Sequence, residues 1–250
     1  MTGRPARVLS DAVLSNAVLS TAVLRPAVAN AFETTVEQLA TAIRLGVLLD
    51  GEQLPPEREL AERLGVSRNT LRDAIAALRQ SGLVATRRGR GGGTVVTYVP
   101  PAPGTTRPPT RTGAALHDAL DFRRVVEPGA AWLAATRPLA GDQRAWLTAS
   151  LRATSDAQDA AAHRIADSRL HLAIATLSGS PMLIEAVTRA QAALGEMLGA
   201  IPVLAPNIAH SNEQHEAIVT RILAGDPAGA RAAMEGHCDA TSALLRGLIG

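Results

Sequence analysis

One carboxylate and three imidazoles occupy positions where a folded C-terminal half turns them inward. Asp167 and His171 stand four residues apart in the stripe Asp167, Leu170, His171, Ile174, Leu177, so a helix presents both on one apolar face. His215 lies on the stripe Ile208, Ser211, Asn212, His215, Ile218, Val219, Ile222. His237 lies on the stripe Ala230, Ala233, Met234, His237, Thr241, Leu244, Leu245, Leu248. An unpaired buried carboxylate is costly, and buried polar groups require partners. A divalent cation satisfies all four residues at once. Their mixed nitrogen and oxygen donors suit Zn, Ni, Mn or Fe without choosing among them. An octahedral ion on these four ligands keeps open positions for water or a chelating ligand. Each histidine alone reads as a core side chain bonded to a neighbouring helix; the four residues together read as a metal set. Cys238 adjoins His237 but is turned about 100° round the helix, so it is expected to be a packed thiol.

Arg123 adds a second chemistry. The inward stripe there is Leu116, Leu120, Arg123, Glu127, Ala130, Ala134, and an arginine on such a face must meet an anion. A guanidinium fork suits the carboxylate of a small ligand, while an internal pair with Glu127 or Asp167 is the competing use. Arg124 points elsewhere.

The N-terminal half carries a different set of donors. Arg68, Asn69 and Arg72 fall on the outer side of a helix whose inner side is Leu71, Ile75 and Leu78. Ser67 is its natural N-cap, and Gly65 suits the tight turn that ends the preceding helix, whose apolar stripe is Leu60, Ala61, Leu64. Two helices joined by a short glycine-containing turn describe a helix-turn-helix whose second helix can enter a major groove. Strand-like segments Leu83–Thr86 and Thr94–Tyr98 flank the tip Arg87-Arg88-Gly89-Arg90-Gly91-Gly92-Gly93. Such a wing brings backbone amides and guanidinium groups to phosphates or into a minor groove. Arg58 to Arg90 holds eight Arg against Glu59, Glu62 and Asp73, a balance of +5 (8 − 3). The expected DNA-contacting residues are Arg58, Ser67, Arg68, Asn69, Thr70, Arg72, Arg88, Arg90, Gly91 and Gly92.

Four segments must position these groups. Residues 1–30 form a low-complexity arm, in which a five-residue Val-Leu repeat over 8–27 collects on no single helix face. Residues 31–98 form the winged helix-turn-helix, whose first helix is expected to be capped by Thr34 or Thr35 and to bury Val36, Leu39, Ala40, Ile43 and Val47. Residues 99–113 form a Pro-rich linker. Breaks at Gly141, Ser178–Pro181, Pro202–Pro206 and Gly225–Pro227 cut residues 114–250 into about six helices: 114–137, 142–158, 161–177, 181–199, 207–224 and 227–248. Pro128 is expected to kink the first of these. The fold class is therefore mainly α, an N-terminal winged helix-turn-helix followed by an all-α bundle.

Composition agrees. All 25 basic residues are Arg, which reconciles a net charge of only +2 with a pI near 9.4. With aromatic content at 2%, the cores must be built from Leu, Ala, Val and Ile. The single Cys excludes an internal disulfide. No apolar run is long enough to span a bilayer, and no signal peptide pattern is evident, so a cytoplasmic protein without membrane contact is expected.

Leu54-Pro55-Pro56-Glu57-Arg58-Glu59-Leu60-Ala61, then Gly65 to Arg72, then Gly82-Leu83-Val84 and the glycine tip resemble the winged helix-turn-helix of the GntR family of bacterial transcription regulators. The resemblance covers about 32–96. Pro56 departs from it, since many members carry a helix-capping Ser there. Asp167-x3-His171, His215 ahead of Ala217-Ile218 and Gly225-Asp226, and then His237 resemble the FCD domain of the FadR-type branch, over about 115–248. Ser180 departs from members that have Asn there. The resemblance implies an effector-binding and dimerisation domain in which the Asp and three His coordinate a metal and an Arg within Arg123-x-x-Val126-Glu127-Pro128 contacts acidic ligands.

The expected function is a homodimeric regulator that reads a palindromic double-stranded operator and responds to a small carboxylate at a metal site. Repression or activation then follows from the ligand's differential affinity for two states. Two rivals share the residues: a sensor for which the ion is the effector, and a metal-dependent hydrolase. The hydrolase lacks a separate general base on any inward face, so no enzyme is expected.

Overall fold

Leucine and alanine stripes close two separate cores. The structure is a computed structural model and describes residues 31–87, 92–99, 113–199 and 205–249. The 1–30 arm with its repeat, nearly all of the 99–113 linker, and the tip residues Arg88, Arg90 and Gly91 lie outside the described residues.

The first core belongs to α1 (Ala31–Arg44), α2 (Glu57–Leu64), α3 (Arg68–Gln80) and the hairpin of β1 (Val84–Arg87) and β2 (Gly93–Val96). Leu39, Ile43, Leu60, Leu71, Ile75, Leu78, Val84 and Val96 meet there. Gly65 ends α2 in the left-handed region at φ +65°, which frees Val66 to turn the chain into α3. Ser67 caps α3, its hydroxyl accepting from the Thr70 amide at 3.0 Å. Pro56 precedes α2 with no side-chain cap, consistent with proline's tolerance at a helix start. The strands pair antiparallel from Val84 opposite Val96 to Arg87 opposite Gly93. Residues 51–54 bond the outer edge of β2, through Leu54 N–H to the Thr94 carbonyl and Val96 N–H to the Glu52 carbonyl.

The first helix corrects two expectations. It runs back to Ala31, and Thr35 sits inside it, donating its hydroxyl to the Ala31 carbonyl at 2.6 Å. Neither Thr34 nor Thr35 is a cap. Val47 lies beyond the helix end and is 54% exposed, because the turn at Gly46 swings it outward.

The second core belongs to six helices: α4 (Gly113–Ala135), α5 (Gly141–Ser155), α6 (Ala160–Leu177), α7 (Pro181–Gly199), α8 (Ala205–Leu223) and α9 (Pro227–Ile249). Helix α4 runs without a break through Pro128 and packs against α6, α7, α8 and α9. Its Ala130, Ala131 and Ala134 are almost fully buried, and small side chains let four helices approach one axis. Leu147, Leu170, Ile174, Ile218, Ile222 and Met234 fill the space around them. Local signals set the ends. Asp159 caps α6 through the Ala162 amide, and Asp226 caps α9 through the Gly229 amide ahead of Pro227 at the first turn. Leu248, on the last turn of α9, is 49% exposed and not inward as its stripe implied.

Candidate functional site: a buried histidine–carboxylate cluster and an exposed reading helix

Asp167 and His171 come from α6, His215 from α8 and His237 from α9. Each offers one ligand atom, and these four atoms lie within 4.8 Å of one another. The imidazole centroids are 4.6–5.4 Å apart. All three histidines are buried, and Asp167 is half-buried. Asp167 Oδ1 stands 3.3 Å from His215 Nε2. His237 donates Nδ1–H to Gln214 Oε1 at 3.0 Å, which orients the ring and leaves Nε2 with a free lone pair. Both ring nitrogens of His215 and of His171 are buried without an aligned hydrogen bond, although His171 Nδ1 lies 2.9 Å from Glu127 Oε2.

Burial keeps the His215 and His237 rings uncharged. It lowers the His215 pKa to about 4, with the Asp167 carboxylate opposing the shift, and holds His237 well below the ordinary imidazole range with help from His215 and Arg123. Neutral imidazoles beside a carboxylate, with unpartnered nitrogens, are the state that a cation binds. The donor set fits a divalent metal.

Glu127 is the hub of an adjoining network on α4. Its Oε2 accepts from Arg123 Nε at 3.0 Å and its Oε1 from Gln191 Nε2, on α7, at 2.6 Å. Burial opposes its charge, yet Arg123, His171 and Gln191 outweigh that and hold the carboxyl well below its usual range. Arg123 is likewise buried, and Glu127 beside it outweighs the cost of burial and raises its pKa. Its Nη1 and Nη2 have no hydrogen-bond partner among the described residues. Arg124 faces outward, as its register implied, and bonds Asp239 and Glu235 on α9. Cys238 is fully buried 3.7 Å from Glu127 Oε2, and burial pushes its thiol up to about 12.

A cavity of about 90 Å³ joins the two groups, with Arg123, Asp167, Gln191, His237, His163 and Thr241 among its lining. The sequence reading missed His163, Gln191 and Gln214. His163 had a usable signal, since it precedes Asp167 by one helical turn as Asp167 precedes His171. Its Nε2 lies 3.3 Å from Asn212 Oδ1. The two glutamines had none, because an amide on a mixed face announces no partner.

At the other end, Arg68, Asn69 and Arg72 project into solvent from the first turns of α3. Arg58 on α2 and Ser67 are also exposed, and Thr70 is half-buried against the cap. Gly92 leads into β2, its carbonyl accepting from Gln53 Nε2 at 3.2 Å.

Comparison with known proteins agrees with this division. Residues 32–96 match the family described as bacterial regulatory proteins of the gntR family, and residues 118–240 match the FCD domain. A relative named for regulation of an L-lactate dehydrogenase operon, from Escherichia coli strain K12, is 35% identical over 208 residues, covering 75% of each chain. An HTH-type transcriptional regulator of Mycobacterium tuberculosis is 33% identical over 225 residues, covering 84% of this chain and 87% of its own. Among solved structures, E. coli McbR/YncC shares the fold at a TM-score of 0.54 and 20% identity, over 88% of this chain and 99% of that one. These families and relatives are transcriptional regulators, not enzymes. No described helix is long and apolar enough to cross a membrane. The chain belongs to the GntR family, and it is a DNA-binding transcription regulator built from a winged helix-turn-helix and an FCD effector domain.

Proposed function

We propose that Asp167, His171, His215 and His237 hold one divalent metal ion and that a small carboxylate binds beside it, with Arg123 taking the acid group. The observation that carries this reading is the convergence of four ligand atoms within 4.8 Å, with ring nitrogens that have no other aligned partner. The two free guanidinium nitrogens of Arg123 supply the charge and the fork for a carboxylate. The ion would act as a Lewis acid that adds to the Arg123 charge in drawing an anionic ligand into the buried site.

The DNA side follows from the exposed face of α3. Arg68, Asn69, Thr70 and Arg72 would meet base edges and phosphates, Arg58 and Ser67 a phosphate, and the wing residues Arg88, Arg90, Gly91 and Gly92 would meet the flanking backbone or minor groove. A homodimer would present two such helices to a palindromic operator about one turn apart. Phe122, Val125 and Trp132 support it as an exposed apolar stripe along α4, 38%, 74% and 44% accessible. The domains we assign are 31–98 for DNA and 114–250 for effector and dimer, with repression relieved or imposed by the ligand's differential affinity for two arrangements of them.

Elemental analysis with native mass spectrometry of the purified chain tests the reading. One divalent ion per chain, lost in His215→Ala, is the expected result; metal-free protein that takes up no Zn, Ni, Mn or Fe on addition overturns it. A second reading, the ion itself as effector, draws on the burial of all three histidines. It gains if metal alone changes DNA affinity and carboxylic acids at fixed metal change nothing.

A further inference from the structure

Of the three cluster histidines, only His237 has a ring nitrogen in an aligned hydrogen bond among the described residues, and that bond leads to the surface. His237 Nδ1–H is donated to Gln214 Oε1 at 3.0 Å, and Gln214 Nε2–H is donated in turn to His210 Nε2 at 3.1 Å. His210 Nε2 is then an unprotonated acceptor, so the proton of that neutral ring sits on Nδ1. There it lies 3.7 Å from Glu213 Oε2, whose charge favours it. His210, Glu213 and Gln214 stand at i, i+3 and i+4 of α8, so one helix face carries the relay from an exposed carboxylate to a buried ring. A primary amide accepts at one end and donates at the other, so turning Gln214 over reverses every step. In the reversed relay Gln214 donates to His237 Nδ1, the His237 proton moves to Nε2, and the lone pair left for the cluster is lost.

We infer that Gln214 and His210 are positioning residues for the metal, holding His237 in the tautomer whose Nε2 can take the ion. The inference rests on the proposed metal site and names what prepares it. A neutral imidazole binds a metal through the nitrogen that lacks a proton, and the hydrogen bond at the other nitrogen decides which one that is. His237 is 3% exposed, so the amide and not bulk water makes that choice. His210 is exposed, and its bond adds little to stability. Its role is to bias one amide between two orientations.

The test reads His237 directly, by nitrogen–proton correlation spectra of the metal-free full chain at mildly alkaline pH, and reads Zn affinity by competition with a chelating dye. His210→Arg offers Gln214 only donors and should turn the amide over, whereas Gln214→Glu offers His237 only an acceptor and removes the choice. The expected result is a proton on His237 Nδ1 in the wild type and a shift toward Nε2 in His210→Arg. Zn affinity in His210→Arg should fall by roughly tenfold, the low end for outer partners of a metal ligand, with no loss when Gln214→Glu is also present. Working at about 0.5 M salt screens the repulsion between the new guanidinium and the ion. A wild-type proton on Nε2, or a His237 tautomer unmoved by His210→Arg, overturns the inference and leaves the metal site standing wherever Zn binds. An affinity loss that persists in the His210→Arg, Gln214→Glu double variant also overturns it and assigns the loss to charge. A wild-type chain that takes up no Zn overturns the metal site and this inference together.

Discussion

Glu127 bonds Arg123 and Gln191 and lies 2.9 Å from His171, with every one of these groups buried. Removing one partner of such a buried pair strands the other, which typically costs about 3–5 kcal/mol, while replacing both by apolar residues of similar volume is often neutral. Arg123→Ala should therefore lower stability by roughly that amount, and Arg123→Met with Glu127→Leu and Gln191→Met, which also removes the amide that Glu127 accepts from, should regain most of it, as read by urea denaturation. Cys238 gives a second expectation at this scale. Its buried thiol, pushed up to about 12, should resist a thiol reagent at pH 8 in the folded chain and react on unfolding; labelling of the native protein at the rate of the unfolded one would count against the packing described. Asp167, His171, His215, His237 and Arg123 were legible in the sequence because a polar residue on a helical apolar stripe marks itself by period. Gln191 and Gln214 were not, because their roles depend on which helix faces them, and period says nothing of neighbours.

Helix ends were legible where glycine, proline or a capping side chain made them unavoidable. Gly65 and Ser67 set the turn of the reader, and Asp226 with Pro227 opens α9, all at the expected positions. The start of α1 was not legible, because Ala31, Phe32 and Glu33 extend the helix ahead of the threonines and the Thr35 hydroxyl bonds back within it. The turn after α1 carries more than local geometry. Gly46 has φ +68°, its carbonyl accepts from Arg169 Nη1 on α6 at 3.0 Å, and a Cβ there would run into the side chain of Ile165. Gly65 shares the positive φ but faces open space. Gly65→Ala should therefore cost about 1 kcal/mol from backbone strain alone, and Gly46→Ala clearly more, in thermal denaturation of the two variants side by side. Equal losses would mean that the contact between α6 and the reader contributes little.

Across the whole molecule, α6 links the two ends: it carries Asp167 and His171 into the cluster and Arg169 onto the reader domain. A ligand that shifts α6 would reach α3 through Gly46 and α1, which packs against α3, and its effect on DNA equals its differential affinity for the two arrangements. The exposed stripe of Phe122, Val125 and Trp132 on α4 should be covered by a second copy. Val125→Glu is expected to give monomers by light scattering and weaken DNA binding, while an unchanged dimer would place the interface elsewhere. The most direct test of the regulator is the affinity of the full chain for a duplex selected from random DNA, measured by anisotropy on metal-loaded protein with and without a small carboxylate such as propanoate. The predicted result is a change of about 5–150-fold in the wild type that is absent in His215→Ala. An affinity unmoved by metal removal and by the acid alike would contradict it.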